Sequence, residues 1–98
     1  MPTSTAAVPT DAAERYAKQL LAHIGRKNSV EPIDGSPSGG RLVFAYGTGT
    51  VRPGTGCLVL EAAAPDAESL ARVQHVLGSH LERFGQRNEL TVTWTTGA

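Results

Sequence analysis

Residues 66–87, DAESLARVQHVLGSHLERFGQR, decide the fold because they are the longest segment with a clean helical period. At about 100° per residue, the large apolar side chains fall within a stripe roughly 80° wide. A fully solvated helix would not carry such a stripe, so we expect this segment to pack against another layer. The stripe consists of Leu70, Val73, Leu77, Leu81 and Phe84.

Both ends of this helix carry recognisable signals. Asp66 is a good N-cap, and Pro65 prevents a helix from running through from upstream. Gly85 is expected to end the helix. The predicted helix therefore has defined limits as well as a buried face.

The polar residues beside the stripe are not evenly distributed. His80, Arg83 and Arg87 lie along one flank, whereas His75 points toward solvent. His75 and His80 are five positions apart and point about 140° away from each other, so they cannot chelate one metal ion. One flank therefore combines an imidazole with two guanidinium groups.

A second amphipathic helix is expected near the start of the chain. Residues 1–9 are small, polar and interrupted by proline, which is typical of a flexible tail. A helix is predicted from residue 11 to about residue 25 or 27, and Tyr16, His23 and Lys27 lie together on one flank of its apolar stripe. The stripe itself consists of Ala13, Ala17, Leu20, Leu21 and Ile24.

The segments between and after the helices alternate like half-buried strands. Together with the helices, they predict a single α+β domain over residues 10–98, in the order α-β-β-(β)-β-α-β. Its architecture is a two-layer α/β sandwich, with two helices on one face of a mostly antiparallel sheet. The other face of the sheet is left uncovered. The predicted strands are residues 29–33, 41–46, 48–52, 57–63 and 90–95.

Composition limits the classes of function. The 98 residues contain 9 Lys and Arg and 9 Asp and Glu, so the chain lacks the basic character of a nucleic-acid-binding domain. A single cysteine, Cys57, excludes an internal disulfide, and its apolar surroundings predict a buried thiol. The N-terminus lacks the pattern of a signal peptide, and no apolar run approaches the roughly 20 residues of a membrane span. We therefore expect a soluble cytoplasmic protein without a membrane partner.

Catalytic motifs are not evident. The glycine-rich residues 47–56, GTGTVRPGTG, do not match a phosphate-binding loop, because no Gly-Lys-Ser/Thr follows and no helix begins there. They are typical of hairpin turns. The serines and Cys57 show no spacing or setting of an activated nucleophile, so we expect no catalytic residues and favour a non-enzymatic function.

The two polar flanks suggest one site. If the helices pack side by side, His23 and His80 converge, and the groove suits a carboxylate, a phosphate or the propionates of a tetrapyrrole. A metal held by the two histidines would need further ligands that the sequence does not identify. The alternative is structural, since histidines at helix edges often only pack, and arginines near a helix end often only meet its dipole. The candidate ligand-binding residues are Tyr16, His23, Lys27, His80, Arg83 and Arg87.

DAAERYAKQLLAHIGRK over residues 11–27 and LARVQHVLGSHLERFGQRNELTVTW over residues 70–94 resemble a bacterial family, domain of unknown function 2218. Arg26 stands where the family pattern has a second histidine. The resemblance covers about residues 11–95, nearly the whole chain. The matching positions are Tyr16, His23, Lys27, His80, Leu81, Arg83, Phe84, Arg87, Leu90, Val92 and Trp94.

The resemblance also implies a context for function. Similar domains are found fused or adjacent to siderophore-interacting flavin reductases, which implies a role in iron handling with such a reductase as partner. On this basis the leading hypothesis is a non-catalytic accessory domain that binds a small anion, a ferric siderophore or a tetrapyrrole. The alternative is a protein–protein interaction module that docks through the open sheet face or an edge strand.

Overall fold

Six strands and two helices make up the described part of the chain. The computed structural model describes residues 2–33, 39–84 and 92–97. Most of the segment between the predicted strands 29–33 and 41–46 lies outside these residues, and so do Gly85, Arg87 and Leu90. In chain order the elements are β1 Thr3–Pro9, α1 Ala13–Ile24, β2 Ser29–Glu31, β3 Gly40–Phe44, β4 Gly47–Gly54, β5 Cys57–Ala63, α2 Ala67–Phe84 and β6 Thr95–Gly97.

The strands form one sheet in the order β2-β3-β4-β5-β1-β6, and every neighbouring pair is antiparallel. Both helices lie against β4 and β5 and contact each other. The predicted α+β architecture, with two helices on one face of an antiparallel sheet, is therefore confirmed. The hairpin between β4 and β5 turns at Thr55 and Gly56, within the predicted turn, and Gly56 has a φ of 71°.

The N-terminal segment corrects the prediction of a flexible tail at residues 1–9. Thr3–Pro9 forms β1, which lies inside the sheet between β5 and β6. The small residues of TSTAAVP hide the alternation: Ser4, Ala6 and Val8 are buried, and the residues between them are not. Ala6 and Val8 pair with Leu60 and Leu58, so their burial depends on a partner strand distant in sequence.

The end of the chain differs from the prediction in a similar way. The half-buried strand was expected at residues 90–95. Residues 90 and 91 lie outside the described part of the chain, residues 92–94 are not in a strand, and β6 comprises Thr95–Gly97 and pairs with β1. Among the described strands, β6 pairs only with β1 in the sheet order, so a prediction that made residues 1–9 a tail left this strand without a partner. Cys57 also differs, since it is half-buried rather than buried.

The core lies between the helices and the inner face of the sheet. The predicted stripe of α2 is confirmed for Leu70, Val73, Leu77 and Leu81, all of which are buried; the side chain of Phe84 lies outside the described set. Leu77 packs directly on Gly49 of β4, where an added Cβ would lie 2.8 Å from a Leu77 methyl carbon. This glycine therefore lets α2 pack closely against the sheet.

Asp66 caps α2 as predicted. Its Oδ1 accepts a hydrogen bond from the backbone N–H of Ser69 at 2.7 Å. The hydrogen bonds from Ser69 stabilise the carboxylate and lower the pKa of Asp66 below 3.8. At α1, by contrast, Ala12 occupies the N-cap position without a side-chain cap, and its N–H donates to Thr10 Oγ1.

We predict that Asp66→Ala lowers the unfolding temperature at neutral pH, because the first turn of α2 loses its cap. The folded-state pKa is depressed, so the ionised carboxylate contributes stability above its unfolded-state pKa, near 3.8, and this contribution is lost as pH falls through the folded-state value. Thermal unfolding followed by circular dichroism should show a gap between wild type and variant that is full at pH 7 and shrinks below about pH 4.

Asp66→Ser is the matched control, since serine caps a helix without a titrating charge. Asp66→Ser should retain most of the thermal stability of the wild type at pH 7. It should not show the part of the acid destabilisation that comes from protonation of Asp66. A gap between wild type and Asp66→Ala that stays constant down to the most acidic folded samples would contradict this role of the carboxylate.

No membrane span is found in the described part of the chain: neither α1 nor α2 is both long and apolar enough to cross a bilayer.

Candidate ligand-binding cleft

The imidazoles of His23 and His80 lie side by side. His23 belongs to the last turn of α1 and His80 to the C-terminal half of α2, and their ring centroids are 5.1 Å apart with the planes tilted by 50°. The predicted convergence of these two rings is therefore confirmed. It follows from the side-by-side packing of α1 and α2 on the same face of the sheet.

A cleft of about 400 Å³ opens at this pair. Its walls come from the end of α1 and the turn after it, from the β3–β4 hairpin, and from α2. No carboxylate lines it among the residues that the structure describes. The lining residues are His23, Ile24, Arg26, Lys27, Asn28, Phe44, Tyr46, Val76 and His80.

A hydrogen bond fixes the His80 ring. Its Nδ1 lies 2.6 Å from the carbonyl oxygen of Val76, one helical turn earlier. Because a carbonyl oxygen can only accept, Nδ1 carries the proton. In the neutral ring Nε2 then holds the lone pair, so His80 presents a defined donor or acceptor according to its protonation state.

The end of α1 brings cationic side chains to the cleft. The helix ends at Ile24, whose carbonyl oxygen accepts a hydrogen bond from Asn28 Nδ2 at 3.1 Å. Residues 25–27 then form a turn in which Arg26 and Lys27 reach the cleft. Both side chains are largely exposed, so their charges are available to a ligand.

Aromatic residues form a firm wall on the sheet side. Tyr46 stacks on Phe44 with centroids 5.3 Å apart and planes only 9° from parallel. The guanidinium of Arg72, on α2, lies 4.2 Å from the centroid of the Tyr46 ring, within the range of a cation–π interaction. These contacts tie the β3–β4 hairpin to α2 and hold the shape of the wall.

The predicted site residues fall into three groups. His23, Lys27 and His80 line the cleft. Tyr16 is only 3% exposed and lies in the core, together with Ala13 and Leu20, which are one helical turn away on either side. Arg83 is exposed on the last turn of α2, away from the cleft lining, and Arg87 lies outside the described residues.

Arg26 and Tyr46 belong to the cleft but were not among the predicted residues. The helix was expected to end near residue 25 or 27, and a helix that continues to residue 27 places Arg26 on a different side from His23. In the structure α1 ends at Ile24. Tyr46 was expected at the end of the predicted strand 41–46, but β3 ends at Phe44 and Tyr46 lies in the hairpin turn. In both cases the end of an element decides the direction of the side chain.

The arrangement of side chains suits an anionic ligand better than a metal ion coordinated by the protein alone. Four side chains that carry or can take up positive charge face one cleft, and asparagine supplies a further polar group. In the described ranges no set of three or more His, Cys, Asp or Glu side chains is placed to hold a metal ion. Any metal at the two histidines would therefore need a ligand from outside that set.

The fold is that of a small α+β domain with two helices on one face of an antiparallel sheet, and comparisons with known proteins identify its family. The chain belongs to the family described as an uncharacterized protein conserved in bacteria, DUF2218, whose model matches residues 5–95. It is similar to the NMR structure of PA4090 from Pseudomonas aeruginosa, with 30% sequence identity and a TM-score of 0.78 over 97% of this chain and 96% of that one. No curated protein matches the chain.

Proposed function

We propose that this protein is a non-catalytic cytoplasmic accessory domain that binds a small anionic ligand in the cleft between α1 and α2. The observation that carries the proposal is the pair of imidazoles 5.1 Å apart beside Arg26 and Lys27. Histidine offers switchable hydrogen-bond donors, arginine offers a bidentate fork, and lysine adds a mobile positive charge. Together they match carboxylate and phosphate groups.

Charge supports an anion rather than a neutral ligand. Arg26 and Lys27 carry positive charge at the cleft, and His23 and His80 can each donate hydrogen bonds beside them. An anion in the cleft can interact favourably with all four side chains. Since no acidic side chain of the described residues lines the cleft, the compensating charge must come from solvent or from a ligand.

The size of the cleft narrows the choice of ligand. A volume of about 400 Å³ is near the lower end of the range for small-molecule pockets, roughly 300–1,000 Å³. It suits a compact polycarboxylate or phosphate, or the acidic edge of a larger ligand such as a ferric siderophore or a tetrapyrrole. The resemblance to siderophore-associated domains favours ligands of iron metabolism, with a siderophore-interacting reductase as the corresponding partner.

The test is calorimetric titration of the metal-free protein, in the presence of chelator, with phosphate, citrate, a ferric siderophore and ferric protoporphyrin. We predict that at least one binds and that His80→Gln weakens it by about tenfold or more, which corresponds to the loss of one charge-assisted contact. His75→Gln, on the solvent side of the same helix, should bind like wild type. Failure of all four ligands, or equal losses in both variants, would contradict the proposal.

A second candidate is a protein–protein interaction module that uses the open face of the sheet. Val43 and Val59 are partly exposed there, on the side away from the helices, and Arg52 pairs with Glu61 at 2.6 Å beside them. This surface mixes apolar and charged groups, as interfaces do. Sedimentation of the wild type and of Val59→Glu tests it: a monomer that is unchanged by the substitution and captures no reductase would leave the cleft as the functional surface.

A further inference from the structure

We infer that His23 and His80 together bind a divalent transition metal ion of the Zn²⁺ type, which leaves open coordination positions facing the cleft. This deepens the proposed function and rests on it for the anion that completes the coordination. The pairing of the two histidines as ligands does not depend on that anion. A site of this kind joins a metal and an anion in one cleft.

The separation of the rings carries the inference. A Zn–N bond of about 2.0–2.1 Å places a ring centroid roughly 3 Å from the metal, so two imidazoles at a tetrahedral angle have centroids about 5 Å apart. The observed separation is 5.1 Å, and the planes are tilted by 50° rather than stacked. The two rings therefore already have the spacing of ligands that share one ion.

The hydrogen bond of His80 is a second, independent observation. Metal-binding histidines almost always donate their other ring N–H to a carbonyl or carboxylate, which fixes the tautomer and orients the ring. His80 does this through Nδ1 to the Val76 carbonyl oxygen, which leaves Nε2 as the nitrogen that can ligate a metal. His23 also has two ring nitrogens, so it can ligate through one and keep a hydrogen bond through the other.

Two protein ligands leave two positions of a tetrahedral ion open. Arg26 and Lys27 stand at the same cleft, and their positive charges disfavour a bare cation but favour an anion bound to it. An anion that bridges the metal and these side chains offsets the repulsion between the metal ion and the two cationic side chains. Metal and anion should therefore bind cooperatively, and each must strengthen the other by the same factor.

The test uses Co²⁺ as a spectroscopic probe of the metal-free full-length protein. We expect one ion per chain with an absorption typical of low coordination number, displaced by Zn²⁺. His23→Gln and His80→Gln should each weaken Co²⁺ binding by tenfold or more, whereas His75→Gln should match wild type. Because His23 is exposed, its variant is expected to fold, which circular dichroism checks. Binding that is unaltered in both variants, or lost equally in His75→Gln, would overturn the metal site.

A second arm separates the metal inference from the proposed function. Millimolar acetate, which scarcely chelates Co²⁺ in solution, should raise its apparent affinity severalfold in wild type. It should do so much less in Lys27→Glu. If anions bind in chelator but Co²⁺ ignores the histidine pair, only the metal inference fails. If Co²⁺ binds at the pair while no anion changes its affinity or binds alone, the proposed anion function fails and the metal pair stands.

Discussion

Val8→Asp is expected to prevent stable folding of this protein at room temperature. Val8 is fully buried in β1, where it pairs with Leu58 in the interior of the sheet. An unpaired carboxylate in an apolar core costs several kcal/mol, and the whole folded state of a domain is worth only about 5–15 kcal/mol. Circular dichroism should show loss of the cooperative thermal transition.

Ala7→Asp is the matched control, because Ala7 is the next residue of the same strand and is exposed on the open face. It should retain a cooperative transition close to that of wild type. A Val8→Asp variant that melts like Ala7→Asp would show that β1 does not belong to the folded core. Residues 1–9 would then be the flexible tail that their composition suggests.

The largest expected effect on binding comes from reversing the two cations of the cleft. Arg26→Glu/Lys27→Glu replaces two favourable charges with two repulsive ones at the wall of the anion site. Hydrogen bonds to charged groups are worth about 1.5–3 kcal/mol each, so affinity for the anion should fall by roughly 100-fold or more. Calorimetric titration with the tightest-binding anion measures this loss directly.

Arg15→Glu/Lys18→Glu makes the same change in net charge on exposed residues of α1 outside the cleft lining. Its affinity should fall only through long-range electrostatics, and that part should disappear at high salt. If both double variants lose affinity equally at every ionic strength, the anion responds to the overall charge of the protein. The cleft would then not be its binding site.

The helical half of the fold was accessible from sequence because helical periodicity is a local signal. The stripe of α2 and the cap at Asp66 lie within one segment; the cap and the stripe as far as Leu81 are found as predicted. The approach of His23 and His80 required one further step, that two helices on the same sheet face pack side by side. Each helix carried a polar flank, so that step was enough to bring the rings together.

The role of β1 was not accessible because it depends on partners distant in sequence. Thr3–Pro9 has small side chains and ends in proline, so its local pattern resembles a tail. Its burial comes from pairing with β5, over 50 residues later, and with β6 near the end of the chain. No local preference of the segment reveals this pairing.

The residues of the cleft were only partly predicted, because helical periodicity does not fix where a helix ends or how burial changes along it. Tyr16 lies on the same helical edge as His23 by periodicity, yet it lies in the core, because burial varies along the length of a helix. Arg26 reaches the cleft only because α1 stops at Ile24, and helix ends are the least certain feature of a sequence pattern. A periodic pattern therefore located the site but not its full set of residues.

The close packing of α2 matters for the site as well as for the core. Leu77 fits over Gly49, and His80 lies one turn further along the same helix. On the other side of the cleft, the stack of Phe44 and Tyr46 holds the hairpin against Arg72. The imidazole pair is thus placed by regular elements on both sides, which suits a preorganised binding site.

The most direct measurement is a titration of ¹⁵N-labelled protein with phosphate and with citrate, followed by amide chemical shifts. Binding in the cleft predicts that the largest shifts occur at residues 23–28 and 76–80, while the open face of the sheet, represented by Thr5 and Val59, stays unchanged. Shifts concentrated on that open face, or no shifts at saturating concentrations of either anion, would contradict the cleft between α1 and α2 as the functional site.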